Sequence, residues 1–250
     1  MPERNIMAEN RREPAVGDIK GVLFDKDGTL FDFHGTWGPI LSEVAEELAG
    51  KDSHIASRML AAIGYREETG RFAAGSIAAA GDTFELADAW LGLLGLDNRA
   101  ALIARLDDFF AKLGPERSIP VTDLGVFFRG MKARGLKLGI ATNDVAASAE
   151  GTILRFGLSD HLDFAAGYDS GHGVKPGPGM ALAFCATTGL KPVEIAVVGD
   201  NRHDLEMGSS AGAGLLIGVL TGASAEADLS PLADRVIADI TLLPGLLDQE

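Results

Sequence analysis

The sequence predicts an α/β protein: a parallel sheet with helices on both faces, into which a helical unit is inserted. Short apolar runs that end in Gly, Asp or Thr recur along the chain, and helix-like stretches separate them. This alternation predicts the sheet and its covering helices. From about residue 32 to residue 113 helical periodicity replaces the strand signal, and this change predicts the insertion.

Four continuous apolar runs are typical of strands that are buried on both faces of a sheet. In chain order they are 21–24, 136–141, 195–198 and 215–220. Weaker strand candidates lie at 163–166 and 235–237. Between these strands, helices are predicted over 144–156, 179–188 and 204–211. The predicted organisation is a core of residues 14–31 and 114–250, an insertion of residues 32–113 and a flexible leader of residues 1–13.

Apolar stripes at helical spacing in the insertion predict three or four helices, around residues 40–48, 84–94 and 102–110. The Gly- and Ala-rich stretch 64–81 is predicted to contain a loop.

Composition excludes several classes of function. The chain of 250 residues has 22 Lys and Arg against 36 Asp and Glu, a formal charge of −14, which argues against nucleic acid or an anionic membrane as partner. The single cysteine, Cys185, excludes an internal disulfide and a Cys-based zinc cluster. No apolar run approaches the ~20 residues that span a bilayer, and no secretory signal is evident. We therefore expect a soluble, cytoplasmic protein.

Polar side chains follow the predicted strands at the points where they end. Asp25 and Asp27 follow the first strand, Thr142 and Asn143 the second, and Asp200 and Asp204 the strand at 195–198, while Lys175 lies in a Gly-rich loop. The carboxyl ends of parallel strands meet at one edge of a sheet, so we expect these groups to converge. Clustered carboxylates repel unless a cation lies among them, and oxygen ligands favour Mg²⁺. The pattern predicts phosphoryl transfer to a carboxylate.

These motifs (DKDGT at 25–29, ATN at 141–143, Lys175-Pro176 and VGDNRHDL at 198–205) have the order and spacing of the four motifs of the haloacid dehalogenase superfamily. The chain resembles the phosphoglycolate-phosphatase-like branch of that superfamily. The resemblance implies a Rossmann-like core with an inserted α-helical cap.

The resemblance also implies roles for individual residues. Asp25 is expected to attack phosphorus, and Asp27 to protonate the leaving alkoxide and later to activate water. Thr142, Asn143 and Lys175 are expected to contact the phosphoryl group, with Lys175 also orienting Asp25.

For the metal, the resemblance implies Mg²⁺ on Asp25, on the backbone carbonyl of Asp27 and on Asp200, with support from Asp204. The branch usually has an apolar or aromatic residue between the two aspartates, whereas this chain has Lys26. That departure leaves the expected chemistry intact but alters the local charge.

The expected function is a Mg²⁺-dependent phosphatase that acts on a small phosphorylated metabolite, with phosphoglycolate as the leading substrate, in a monomer or homodimer. Loop 64–81, through Arg66 or Arg71, is expected to approach the leaving group, with ordinary exposed arginines as the alternative. Other open functions are a nucleotidase, a sugar-phosphate phosphatase or mutase, and a non-catalytic regulatory module. A phosphonate hydrolase would need a Schiff-base lysine, for which the insertion offers Lys51 and Lys112.

Overall fold

The computed structural model describes residues 18–248. The predicted leader, residues 1–13, lies outside this range. Within it, no helix combines the length and the hydropathy that crossing a membrane requires.

Six strands form one parallel sheet: β1 Gly21–Phe24, β4 Lys137–Ala141, β5 Phe164–Ala166, β6 Ile195–Gly199, β7 Leu215–Val219 and β8 Arg235–Ile237. Their order across the sheet is β5-β4-β1-β6-β7-β8. The strand β1 lies in the middle of the sheet, with β4 on one side and β6 on the other. The predicted parallel sheet is confirmed, including both of the weaker strand candidates.

Helices cover both faces of this sheet. They are α6 Leu124–Ala133, α7 Ala146–Arg155, α8 Gly179–Thr188, α9 Arg202–Ala211, α10 Glu226–Leu229 and α11 Leu243–Leu247. Alternate residues of β1 belong to different hydrophobic clusters: Val22 and Phe24 pack with α6 and α11, and Leu23 packs with α8 and α9. Because side chains alternate between the two faces of a strand, a continuous apolar run is what two covered faces require.

Between β1 and α6 the chain forms a helical unit, which we call the cap. Its elements are α1 Phe33–Leu48, α2 Ser53–Ala62, the hairpin β2 Tyr65–Arg66 and β3 Arg71–Phe72, α3 Ile77–Ala80, α4 Thr83–Leu91 and α5 Arg99–Arg117. The cap has its own hydrophobic cluster, in which the buried Trp90 donates from Nε1 to the carbonyl oxygen of Met59 (2.8 Å). Helix α5 continues past residue 113 to Arg117, and the predicted end of the insertion at residue 113 stays a prediction.

Three neighbouring strands deliver the polar motifs to one edge of the sheet. Parallel pairing of β1 with β4 and with β6 places Phe24 beside Ile140 on one side and beside Val198 on the other. The residues that follow these strands therefore begin at the same level, beneath the cap.

Candidate active site

The loop after β1 is a tight turn that brings Asp25 and Asp27 to the edge of the sheet. The amide of Asp25 still donates to Val198 O (2.9 Å), so this residue continues the strand. The turn closes when Leu30 N and Phe31 N donate to Lys26 O at 3.0 and 3.1 Å. Gly28 has φ +98°, and a Cβ there would lie 2.5 Å from Asp200 Cγ. Glycine is therefore required, because other residues rarely adopt this φ and the next carboxylate is too close.

Lys175 lies between two of the predicted carboxylates. Its Nζ is 2.6 Å from Asp25 Oδ1 and 2.6 Å from Asp204 Oδ1, and all three side chains are buried. Asp204 is fixed from its other oxygen, since Oδ2 accepts the amide of Asn201 (3.0 Å) at the start of α9. We call Lys175, Asp25, Asp200 and Asp204 the lysine-175 cluster. It holds three carboxylates and one ammonium group, so it lacks positive charge.

The lysine-175 cluster fits a divalent cation. Asp25, Asp200 and Asp204 each offer an oxygen within 4.8 Å of the others, and all three residues are buried. Asp25 Oδ2 is buried and has no hydrogen-bond partner among residues 18–248. A Cβ on Gly222 would lie only 1.7 Å from Asp200 Oδ2, so the backbone closes tightly around that carboxylate. Three buried carboxylates that offer oxygen ligands, with only one ammonium group among them, form the kind of donor set that Mg²⁺ prefers.

Burial and mutual repulsion act on the acidity of this cluster. Burial raises the pKa of Asp25 to about 7, although Lys175 opposes the shift. The pKa of Asp200 is likewise raised well above its ordinary value, first by burial and then by Asp25 and Asp204. Burial alone would lower the pKa of Lys175, but Asp204 and Asp25 raise it, so the ammonium group stays charged.

A second buried lysine lies beside the first cluster. Lys26 Nζ is 2.6 Å from Asp27 Oδ2 and 2.9 Å from Asp144 Oδ2, and it also lies 5.6 Å from the ring centroid of Trp37. We call Lys26, Asp27 and Asp144 the lysine-26 cluster. Burial raises the pKa of Asp144, and Lys26 opposes that shift. The cluster ties the loop after β1 to the loop after β4.

Thr142 and Asn143 occupy the loop after β4. Thr142 is buried and its Oγ1 accepts the amide of Asp144 (3.1 Å), which leaves its hydroxyl proton for another acceptor. Asn143 braces Lys175: Oδ1 accepts Lys175 N (2.9 Å), and Nδ2 donates to Lys175 O (3.3 Å). The predicted contacts of both residues with a phosphoryl group stay predictions.

Three side chains of the core hold a segment of the cap, residues 77–83, over this edge. Asn201 Nδ2 donates to Ala79 O (3.3 Å), and Asn143 Nδ2 donates to Ala80 O (3.4 Å). Ala80 O also accepts from Nδ1 of His203 (3.0 Å). These hydrogen bonds close the cap on the core.

A pocket that is partly open to solvent lies between the cap and the core. The core side of the pocket contains every predicted site residue: Asp25, Asp27, Thr142, Asn143, Lys175, Asp200 and Asp204. Loop 64–81 contributes its end, residues 77–81, whereas Arg66 and Arg71 pair with each other across the β2–β3 hairpin, are exposed and do not line the pocket. The alternative, ordinary exposed arginines, therefore describes this structure.

Sequence reasoning missed Asp144 and the apolar wall that the cap contributes. Asp144 was visible as the residue after the ATN motif, but its partner Lys26 is distant in sequence, so nothing local indicated the pair. The available signal was Lys26 itself, because a lysine that directly follows a buried strand needs a carboxylate partner if it is buried too.

Comparison with known proteins agrees with this geometry. The family model described as haloacid dehalogenase-like hydrolase matches residues 19–212. A phosphoglycolate phosphatase of Yersinia pestis is 28% identical over 245 residues, covering 93% of this chain and 97% of that protein. A probable phosphatase IndB of Dickeya dadantii is 35% identical over 109 residues, but the match spans only 44% of this chain and 47% of the relative. The crystal structure of a "predicted phosphoglycolate phosphatase" from Haemophilus somnus superposes with a TM-score of 0.67 at 17% identity, covering 92% of this chain and 99% of that one.

Proposed function

The chain belongs to the haloacid dehalogenase-like hydrolases and is a phosphatase of that family, and on this premise we propose that it hydrolyses a small phosphomonoester through an aspartyl-phosphate on Asp25. The observation that carries the proposal is the state of Asp25. Lys175 holds one of its carboxylate oxygens at 2.6 Å, while the other oxygen is buried without a hydrogen-bond partner in the described chain. That second oxygen is available to attack phosphorus.

The reaction divides into two steps. Asp25 Oδ2 forms a bond to phosphorus while the ester oxygen leaves, and Asp27 gives that oxygen its proton. Asp27 then takes a proton from a water molecule, which attacks the aspartyl-phosphate and releases phosphate and free Asp25. Thr142 and Lys175 donate to phosphoryl oxygens throughout.

Asp25, Asp200 and Asp204, with the backbone carbonyl of Asp27, would hold Mg²⁺. The ion supplies positive charge that lowers the repulsion between the carboxylates and an incoming phosphate. Phosphoglycolate, the substrate in the names of several relatives, is the first compound to assay.

The covalent step is tested by trapping. p-Nitrophenolate leaves without help from an acid, whereas hydrolysis of the intermediate needs the base, so the Asp27→Asn variant should accumulate aspartyl-phosphate from p-nitrophenyl phosphate and Mg²⁺. Acid quenching and peptide mass spectrometry should find one added phosphate on the peptide that contains Asp25. The Asp25→Asn variant is the control and should show none. Wild-type turnover with no labelled peptide in Asp27→Asn, or a label that persists in Asp25→Asn, would contradict the proposal.

A further inference from the structure

The cap side of the pocket is apolar. Its lining side chains come from α1, from the end of loop 64–81, from α4 and from α5, and the large ones are Phe33, Trp37, Leu41, Ile77, Leu86 and Phe110. The polar residues on this wall are Asp82 and Thr83. Asp82 is acidic and caps α4, where its Oδ1 accepts the amide of Glu85 (3.0 Å). The wall therefore offers hydrocarbon, aromatic rings and a negative charge.

Positive charge in the pocket is already engaged by the protein. Of the residues that line the pocket in the described chain, only Lys175 and His203 have a cationic form. Lys175 is paired with Asp25 and Asp204, and His203 bonds to Ala80 O in the cap. Lys175 can balance the charge of the phosphate group of a substrate. A second anionic group on the substrate finds no free cation among the described residues that line the pocket.

This wall belongs to the closed form in which a substrate would react. Asn143, Asn201 and His203 hold residues 79 and 80 against the loops that carry the site, at 3.0 to 3.4 Å. With the cap in this position, the organic part of an ester held at Asp25 lies against the apolar wall, away from bulk water.

One polar group of the wall is unused. Trp37 is buried, packs edge-on against Phe110 (5.1 Å between centroids), and its Nε1 has no hydrogen-bond partner among residues 18–248. An indole N–H is a hydrogen-bond donor that cannot be ionised in this range of pH, so it can donate to a ligand oxygen but supplies no positive charge.

We propose that the pocket takes the phosphate ester of a neutral, mainly hydrocarbon or aromatic alcohol and discriminates against esters whose organic part carries a carboxylate. This inference rests on the proposed function and narrows its substrate. A carboxylate placed against the wall loses its hydration, meets no cation among the residues of 18–248 that line this side of the pocket and lies near Asp82, whereas burial of an alkyl or aryl group away from water is favourable. Phosphoglycolate is therefore a poor substrate despite the names of the relatives.

Matched pairs of esters test the discrimination, measured as kcat/KM with wild-type protein and Mg²⁺. The pairs are phenyl phosphate against 4-carboxyphenyl phosphate, and ethyl phosphate against phosphoglycolate. The carboxylated phenol is the better leaving group, so a lower value for its ester reports the pocket rather than the chemistry. We expect the neutral ester to be favoured roughly 10-fold or more in each pair, mainly through KM.

A designed change should reverse the preference. Ile77 is half-buried at the edge of the wall, and Ile77→Arg adds a cation there; we expect the ratio to move roughly 10-fold toward the carboxylated esters. Val126→Arg is the matched control, since Val126 is 57% exposed on α6 and is absent from the pocket lining. It should keep the wild-type ratio, and turnover of phenyl phosphate shows that each variant is folded.

The outcomes separate the two claims. Equal or higher kcat/KM for the carboxylated ester in both pairs overturns the inference and leaves the phosphatase assignment standing. If the wild-type protein turns over none of the four esters and does not turn over p-nitrophenyl phosphate either, the proposed function is overturned and the inference with it. A ratio that moves equally in Ile77→Arg and Val126→Arg assigns the preference to overall charge and also overturns the inference.

Discussion

Two buried lysines at the same sheet edge have different electrostatic surroundings. Lys175 is 5% exposed and is surrounded by three carboxylates, of which one, Asp200, it does not touch. Lys26 is 1% exposed and bridges two carboxylates, with the face of Trp37 nearby. The first cluster holds three carboxylates for one ammonium group and the second holds two, so the first has the larger deficit of positive charge and is the better fit for a cation and a phosphate. In the second, Lys26 joins two loops, which fits a structural role for Lys26 and Asp144 beside Asp27, the proposed acid and base.

The largest difference between the clusters should appear in turnover. Asp25→Asn removes the attacking oxygen, and kcat for p-nitrophenyl phosphate should fall by roughly 10⁴-fold or more. Asp144→Asn, in the other cluster, should lower kcat by about 10-fold or less, because Asp144 contacts Lys26 and not the reacting carboxylate. Similar losses in the two variants would abolish the distinction, and more than a few per cent residual activity in Asp25→Asn would refute the covalent route.

Metal dependence should also separate the clusters. EDTA should silence the enzyme and Mg²⁺ restore it, with Ca²⁺ a poor substitute because its coordination is larger and looser. Asp200→Ala should weaken Mg²⁺ binding more than Asp204→Ala, since Asp204 is already held by Lys175 and by Asn201 N. Asp144→Asn should leave the Mg²⁺ affinity unchanged within about 2-fold. Titration of Mg²⁺ in steady-state assays measures all three, and full activity without metal would contradict the assignment.

The free energy of unfolding should depend strongly on Lys26 and Asp144, on which turnover and Mg²⁺ binding should depend only weakly. Lys26→Met leaves Asp27 and Asp144 close together without a cation, and the free energy of unfolding should fall by about 3–5 kcal/mol. The double variant Lys26→Met/Asp144→Leu removes one of the two stranded carboxylates and with it their mutual repulsion, and should recover part of that loss. Urea denaturation measures both variants. A loss below about 1 kcal/mol for the single variant would mean that the lysine-26 cluster contributes little to stability.

The last difference between the clusters concerns the pH dependence of stability without metal. The pKa of Asp25 is about 7 in the folded protein and has an ordinary value of 3.8. Between these values the folded state holds a proton that the unfolded state has lost, so stability declines as pH rises from about 4 to about 7, by up to about 1.4 kcal/mol per pH unit. Denaturation midpoints in EDTA from pH 5 to pH 8 should fall less steeply in Asp25→Asn. Parallel curves would show that Asp25 does not titrate in this range.

The sheet was predictable because its strands are buried on both faces. A run such as Val22–Phe24 has no polar position, which only a doubly covered strand tolerates. The strand ends then fixed which polar residues meet, and the structure brings all seven predicted site residues to one pocket.

Other features had no local signal. The hairpin strands β2 and β3 have two residues each, too few to show alternation. Helix α2 buries only Ala56 and Met59, so its apolar stripe is weak. The pairing of Lys26 with Asp144 depends on β1 and β4 being neighbours in the sheet. The sequence around either residue does not reveal that strand order.

The three hydrogen bonds that Asn143, Asn201 and His203 make to the cap all end on backbone carbonyl oxygens, those of Ala79 and Ala80. A carbonyl is present whatever the side chain, so a substitution at either position keeps the acceptor and changes only the surface that the pocket presents. The backbone of Ala79 and Ala80 thus holds the cap in place, while their side chains form part of the surface that contacts the substrate. Evolution can therefore exchange these side chains and alter the preferred alcohol while the hydrogen bonds that hold the cap and the catalytic residues of the core stay the same.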